Sequence, residues 1–257
     1  MKIREIKKAA KENLRGRWFG PFLMVLVYLL VVLPVTLSGA ASGLINMYVS
    51  IVENHGIVIE EFAHLDIEML RTYGLVCSLI SLVLCFVIQG PSRVGLSRYF
   101  IRLGHEKANL FTFFGGFFKK YFRTIVAQAV ISVVMYFLAL FSGIMSIAFS
   151  FGLAYGVGFV TIVPLMILEW LLIEKSIEYT MLPYMMADYP QMKCREMFRE
   201  TKTLMRGCKW KLFSLEFSFF GWYLLCVLTL GLALPFFLPY HEQALAEFYH
   251  YAKSRQE

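Results

Sequence analysis

Trp18 to Ile45 reads WFGPFLMVLVYLLVVLPVTLSGAASGLI, twenty-eight residues without a single charge. The hydrocarbon core of a bilayer takes about 20 apolar residues of α-helix, so this stretch is long enough to cross it. Tyr73 to Gly90, Ile125 to Ile147, Tyr155 to Ile173 and Leu212 to Leu238 approach or exceed the same length. Composition agrees, with 58% hydrophobic and 17% charged residues and a positive mean hydropathy. A soluble domain carries more charge than this. The pattern predicts an all-α, polytopic helical membrane bundle with residues 1–257 forming one membrane domain.

The charges between the apolar stretches alternate in sign. Met1 to Trp18 holds seven basic and two acidic residues, Pro91 to Arg123 seven and one, and Glu174 to Lys211 eight and five. Asn46 to Arg71 reverses this, with Glu53, Glu60, Glu61, Asp66 and Glu68 against Arg71 alone. Lys and Arg accumulate on the cytoplasmic side of spans, so the N-terminus is expected on the cytoplasmic side. The net charge of +7 is then expected to meet anionic lipid rather than nucleic acid. A cleaved leader is the competing reading, since Ser38-Gly39-Ala40-Ala41 resembles a processing site. The apolar run before it exceeds the 7 to 15 or so residues of a signal core, so it is expected to remain as the first span.

Residues 1–17 predict an amphipathic interfacial helix with Ile3, Ile6, Ala10 and Leu14 on one face and bases around the rest. Leu110 to Phe122, LFTFFGGFFKKYF, predicts a second interfacial element, an elbow whose Lys119 and Lys120 are candidate lipid-headgroup contacts together with Lys209, Trp210 and Lys211. Small residues at packing spacing, Gly39 with Gly43 and Gly152 with Gly156, predict close helix approach within the chain. A homodimer interface is the minority reading of the same pairs, and a homo-oligomer is not otherwise indicated. The uncharged stretch Ser142 to Gly152 predicts a tight outer turn.

No cofactor loop, nucleophile motif or metal-ligand spacing occurs. Five cysteines and five histidines are scattered, and neither set has zinc spacing. The chain is therefore read as non-enzymatic, with no cofactor. Ionisable residues within spans are costly and face a bundle interior or watery cavity. By helical rise, Glu169 and Glu216 fall at similar depth. They define a candidate intramembrane polar cluster with Lys175, His241, Glu242, Glu247, Arg93 and Arg98.

The last third carries a resemblance. Pro183-Tyr184-Met185-Met186-Ala187-Asp188-Tyr189-Pro190, then Leu204 to Phe213 (LMRGCKWKLF), Ser218 to Trp222, Leu228-Thr229, Pro239-Tyr240, Ala244, Ala246 and Phe248-Tyr249 resemble the bacterial integral-membrane family known as domain of unknown function 975. Ala9 to Trp18, Gly90-Pro91, Gly95 and Arg98-Tyr99-Phe100 extend the resemblance over nearly the whole chain. It implies a bacterial membrane location and a multi-helix fold, with no known activity. Leu171 and Leu172 stand where the family pattern carries a proline and glycine, so no kink is expected there.

A weak repeat, Pro91 with Tyr99, Pro183 with Tyr184 and Pro239 with Tyr240, suggests three helical hairpins. Six spans follow, at approximately 18–45, 73–94, 124–147, 153–175, 211–230 and 231–251, the last pair turning near Thr229 to Gly231. Five spans, with the C-terminus outside, is the alternative. The function expected is transport-like or lipid and amphiphile handling, with a small-molecule or lipid ligand. The alternative is a scaffold recruiting a cytoplasmic partner.

Overall fold

The computed structural model describes residues 2–55, 66–103, 111, 113, 114, 121–154 and 159–256. Every regular element among them is helical: α1 (Ile3–Leu14), α2 (Phe19–His55), α3 (Ile67–Leu84), a π-helical turn (Cys85–Gln89), α4 (Gly90–Leu103), α5 (Tyr121–Ala154), α6 (Phe159–Tyr179), α7 (Leu182–Asp188), α8 (Cys194–Leu204), α9 (Lys209–Phe217), α10 (Phe220–Leu228) and α11 (Leu234–Ser254). Four stretches are long and apolar enough to cross a membrane by length and composition: Phe19–Glu53, Ile67–Leu103, Phe122–Ser150 and Lys209–Leu228.

Two long hairpins dominate. In the first, α2 packs along α3. Ser42 Oγ lies 2.5 Å from Ser78 Oγ and donates to the Gly74 carbonyl at 3.3 Å. Gly74 permits that approach, because a Cβ there would stand 2.5 Å from Asn46 Oδ1. Gly39 faces Ser81 on α3, whereas Gly43 faces open space. Arg71 closes the acidic end by pairing with Glu53 and, at 3.3 Å, Glu68. In the second hairpin α5 packs along α6. Here α5 stays helical through Ala154, so Ser142 to Gly152 is helix rather than the expected turn. An uncharged stretch fits a longer helix as well as a turn, and glycine is tolerated in such helices. The helix α6 passes unbroken through Leu171 and Leu172.

The hairpins expose apolar side chains along most of their length, while the core collects at their basic end. Ile6, Ala10 and Leu14 of α1 are buried at the spacing of one helical face, packed against α11. Nearly all of α4 is buried. Gly95 is required there, since a Cβ would collide with the Phe113 carbonyl oxygen. The Pro-Tyr helices α4 and α7 pack together, and α4 also packs on α11, so the repeated units meet in one core.

The last elements form the antiparallel hairpin expected from Thr229 to Gly231. Leu230 and Gly231 have φ of 49° and 89°, and the Gly231 N–H donates to the Cys226 carbonyl at 2.8 Å. Phe219 meets Phe237, Trp222 stacks on Phe237, and Lys211 Nζ donates to Tyr251 Oη at 2.6 Å. The direction of this hairpin is the unexpected feature. Its base is tied to the end of α6 by Lys209, which bonds Glu174 at 2.6 Å and Glu178 at 2.8 Å. Its tip reaches the first turn of α2, with the Phe236 and Phe22 rings 5.3 Å apart. The start of α2 and the end of α6 lie at the same end of the two long hairpins. The terminal hairpin therefore contacts both α6 and α2 at that end.

Candidate functional site

The core holds a connected set of buried and half-buried polar side chains. Glu242 on α11 is 0% exposed. Arg93 on α4 donates to its Oε1 at 2.5 Å and Tyr184 on α7 donates to its Oε2 at 2.7 Å. The neighbouring His241 sets Nε2 3.0 Å from Glu216 Oε2 on α9 and 2.9 Å from Tyr223 Oη on α10. Tyr223 also donates to Glu216 at 3.1 Å. His241 Nδ1 has no hydrogen bond and lies 3.9 Å from Glu242 Oε1. Five helices thus supply one connected network. Its carboxylates are met by a guanidinium, an imidazole and two phenols, as burial requires.

Of the eight residues expected to cluster, the fold brings together Arg93, Glu216, His241 and Glu242. Glu247 lies on the same helix in a separate pair of bonds, accepting from Asn13 at 2.6 Å and Gln243 at 2.9 Å. Glu169 is remote and bonds Ser142. Lys175 joins Glu178 at 3.4 Å. Arg98 is buried, with Arg102 and Arg123 as charged neighbours. Rise along each helix gave similar depths for Glu169 and Glu216, but depth carries no information on which helices are adjacent. Tyr184 and Tyr223 were missed as members of the network. Tyr184 stands in the Pro-Tyr repeat, the one signal that could have found it.

A second cluster lies where α6 meets α9. Burial alone would raise the Glu178 carboxyl, but hydrogen bonding to Lys209 and the charge of Lys175 outweigh it and hold the pKa below its ordinary value. Trp170 and Trp210, 5.6 Å apart, line a groove of about 280 Å³ beside Glu174. The headgroup contacts expected here separate accordingly. Trp210 is exposed, Lys209 is committed to two carboxylates, and Lys211 bonds Tyr251. Lys119 and Lys120 lie outside the described residues.

Among the described residues, no group of three or more His, Cys, Asp or Glu is arranged to hold a metal ion. The sequence profile described as "Protein of unknown function (DUF975)" matches residues 1–256. The chain belongs to the DUF975 family. No curated protein and no solved structure matches it. Family membership agrees with the motifs running from Ala9 to Tyr249 and assigns no chemistry to the network.

Proposed function

We propose that this DUF975 chain is a non-catalytic, multi-pass protein of the bacterial cell membrane that binds lipid or amphiphile at the inner leaflet. The observation that carries the reading is the contrast between a polar centre whose acids are already paired and open aromatic grooves around it. A solute path lined by acids needs carboxylates that water can reach. Here Glu242 is fully enclosed, and Glu216, although half-buried, is already engaged by His241 and Tyr223. The network ties five helices together, which is the common role of charges within membrane bundles. The grooves beside it are lined by tryptophan and lysine, the residues that favour the headgroup level.

The basic end is taken as cytoplasmic on the charge asymmetry between loops. Four crossings, α2, α3, α5 and α6, then return the chain to the cytoplasm. The hairpin of α9, α10 and α11 is inferred to lie within the inner leaflet instead of adding two crossings. Its base and its tip contact helix ends on one side, and α1, with Arg4, Lys8 and Arg15 exposed, packs along α11. Those charges exclude α1 from hydrocarbon, so α11 beside it stays shallow.

A second reading rests on a groove of about 600 Å³ at the same end, where Lys175, Arg195, Arg199 and Lys202 face Glu178 and Glu196. Its mixed charges suit a cytoplasmic protein partner, giving a scaffold role. The two are separated by gentle extraction of the full chain followed by lipid mass spectrometry. The lipid reading expects phospholipid retained above the level of an unrelated membrane protein of similar size, and no enrichment overturns it.

A further inference from the structure

We propose that the groove between α1 and the tip of the terminal hairpin is a binding site for an anionic phospholipid, with Lys7 and Lys11 holding the phosphate. The proposal rests on the inner-leaflet reading above and names the site and headgroup class. The groove encloses about 470 Å³ and is lined by Lys7, Lys11, Trp18, Trp222, Phe236 and Tyr240. Its polar end is positive without compensation. Lys7 Nζ donates to the Ser218 carbonyl at 3.1 Å, a carbonyl at the break between α9 and α10, and lies 4.1 Å over the Phe219 ring. Lys11 Nζ lies 5.7 Å from the centre of the Tyr240 ring. Neither lysine has a carboxylate partner among the described residues. Burial, then the neighbouring charge of Lys11, lowers the pKa of Lys7, as expected where two ammonium groups approach with no anion between them.

The other end of the groove is apolar and open. Phe236 and Trp222 remain 59% and 45% exposed, although both stand against packed aromatic neighbours. The groove thus pairs two cations with an aromatic wall leading to the exposed tip residues Leu228, Leu230 and Leu232. An anionic headgroup attached to acyl chains satisfies both ends together. A soluble phosphate would satisfy only the first, and a neutral lipid only the second. The charge cluster and the wall come from segments far apart in the chain. No local motif announces them.

The test uses the full chain in nanodiscs of phosphatidylcholine doped with phosphatidylglycerol, with bound lipid counted by native mass spectrometry. Two lysines near a membrane surface contribute about 1 kcal/mol each, so Lys7→Gln/Lys11→Gln is expected to weaken phosphatidylglycerol retention about thirty-fold. Arg4→Gln/Arg15→Gln, which removes the same charge from exposed positions of the same region, should leave retention near the parent's. Equal losses in both double variants overturn the site while leaving the inner-leaflet function standing. No preference for phosphatidylglycerol in the parent, with phosphatidylcholine retained, overturns the anionic headgroup. No lipid retained at all overturns the function itself. A measurement that leaves the lysines intact covers misfolding. In a Trp170→Phe/Trp210→Phe background, brominated phosphatidylglycerol should quench Trp18 and Trp222 more strongly than brominated phosphatidylcholine, and equal quenching contradicts the proposal.

Discussion

The helix α6 and the pair α9 and α10 make an instructive comparison. Phe159–Tyr179 is 21 residues long, and the segment Lys209–Leu228 is 20. Composition favours the second as a membrane crossing, because Glu169, Glu174 and Lys175 interrupt the first. The topology proposed above reverses the assignment. The helix α6 runs back along α5, where Ser142 answers Glu169, while Lys175 pairs with Glu178 one turn along α6 itself. The segment of α9 and α10 starts at the end of α6, and α11, which follows it, meets the start of α2 through Phe236. Apolar length states that a helix is stable in lipid. It does not state that the helix crosses.

The largest effect should come from unseating the second member of this pair. If Arg93 and Glu242 hold the terminal hairpin against α4, Glu242→Leu leaves an unpaired buried guanidinium and should cost about 3 to 5 kcal/mol. The reading is a collapse in folded yield and melting temperature, with Arg93→Met/Glu242→Leu recovering most of the loss. A double variant no better than the single would show that the pair is not what seats the hairpin.

A lysine placed on each exposed face should separate the two segments further. Met166→Lys lies at the middle of α6 and should cost about 2.5 to 3.5 kcal/mol, the value for a charge at the centre of a span. Leu224→Lys lies on α10, where the side chain can reach headgroups, and should cost under about 1 kcal/mol. Thermal unfolding in one detergent and in nanodiscs measures both. Equal penalties would make both segments crossings.

Lys209 joins the two segments, and its effect is smaller and pH-dependent. The Glu178 pKa is held below its ordinary 4.5, so its contribution to stability is present above that pH and lost as pH falls through the folded value. Lys209→Gln should cost about 2 kcal/mol at neutral pH and flatten the acid-side decline in melting temperature. An unchanged decline would assign it to other carboxylates. The smallest effect belongs to the turn. Gly231 has φ of 89° and room for a Cβ, so Gly231→Ala should cost about 1 kcal/mol through backbone strain alone.

The same comparison shows which features the sequence made legible. Local signals were read well because they are periodic or obligatory. The buried face of α1 follows from the spacing of Ile6, Ala10 and Leu14, the terminal turn from Thr229 and Gly231, and Arg93 as a partner for an intramembrane acid from the cost of burying charge. Long-range direction left no such trace. Nothing in the spacing of Glu169 and Glu216 says that one faces α5 and the other α11. Nothing local to Phe236 says that it meets Phe22, more than two hundred residues earlier. Tyr223 joins the network through Glu216 and His241 and left no signal of it, since an aromatic at helical spacing reads equally as packing.

The central claim is tested most directly by the depth of Leu230, which is 95% exposed at the hairpin tip. A spin label at Leu230→Cys, in a background with Cys77, Cys85, Cys194, Cys208 and Cys226 replaced, can be placed by power saturation against labels at Phe19→Cys and Glu53→Cys. The account predicts that the Leu230 label lies in the same leaflet as the Phe19 label, near the start of α2. A Leu230 label at the depth of the Glu53 label, about 30 Å away across the hydrocarbon, would make the terminal hairpin a pair of crossings and contradict it.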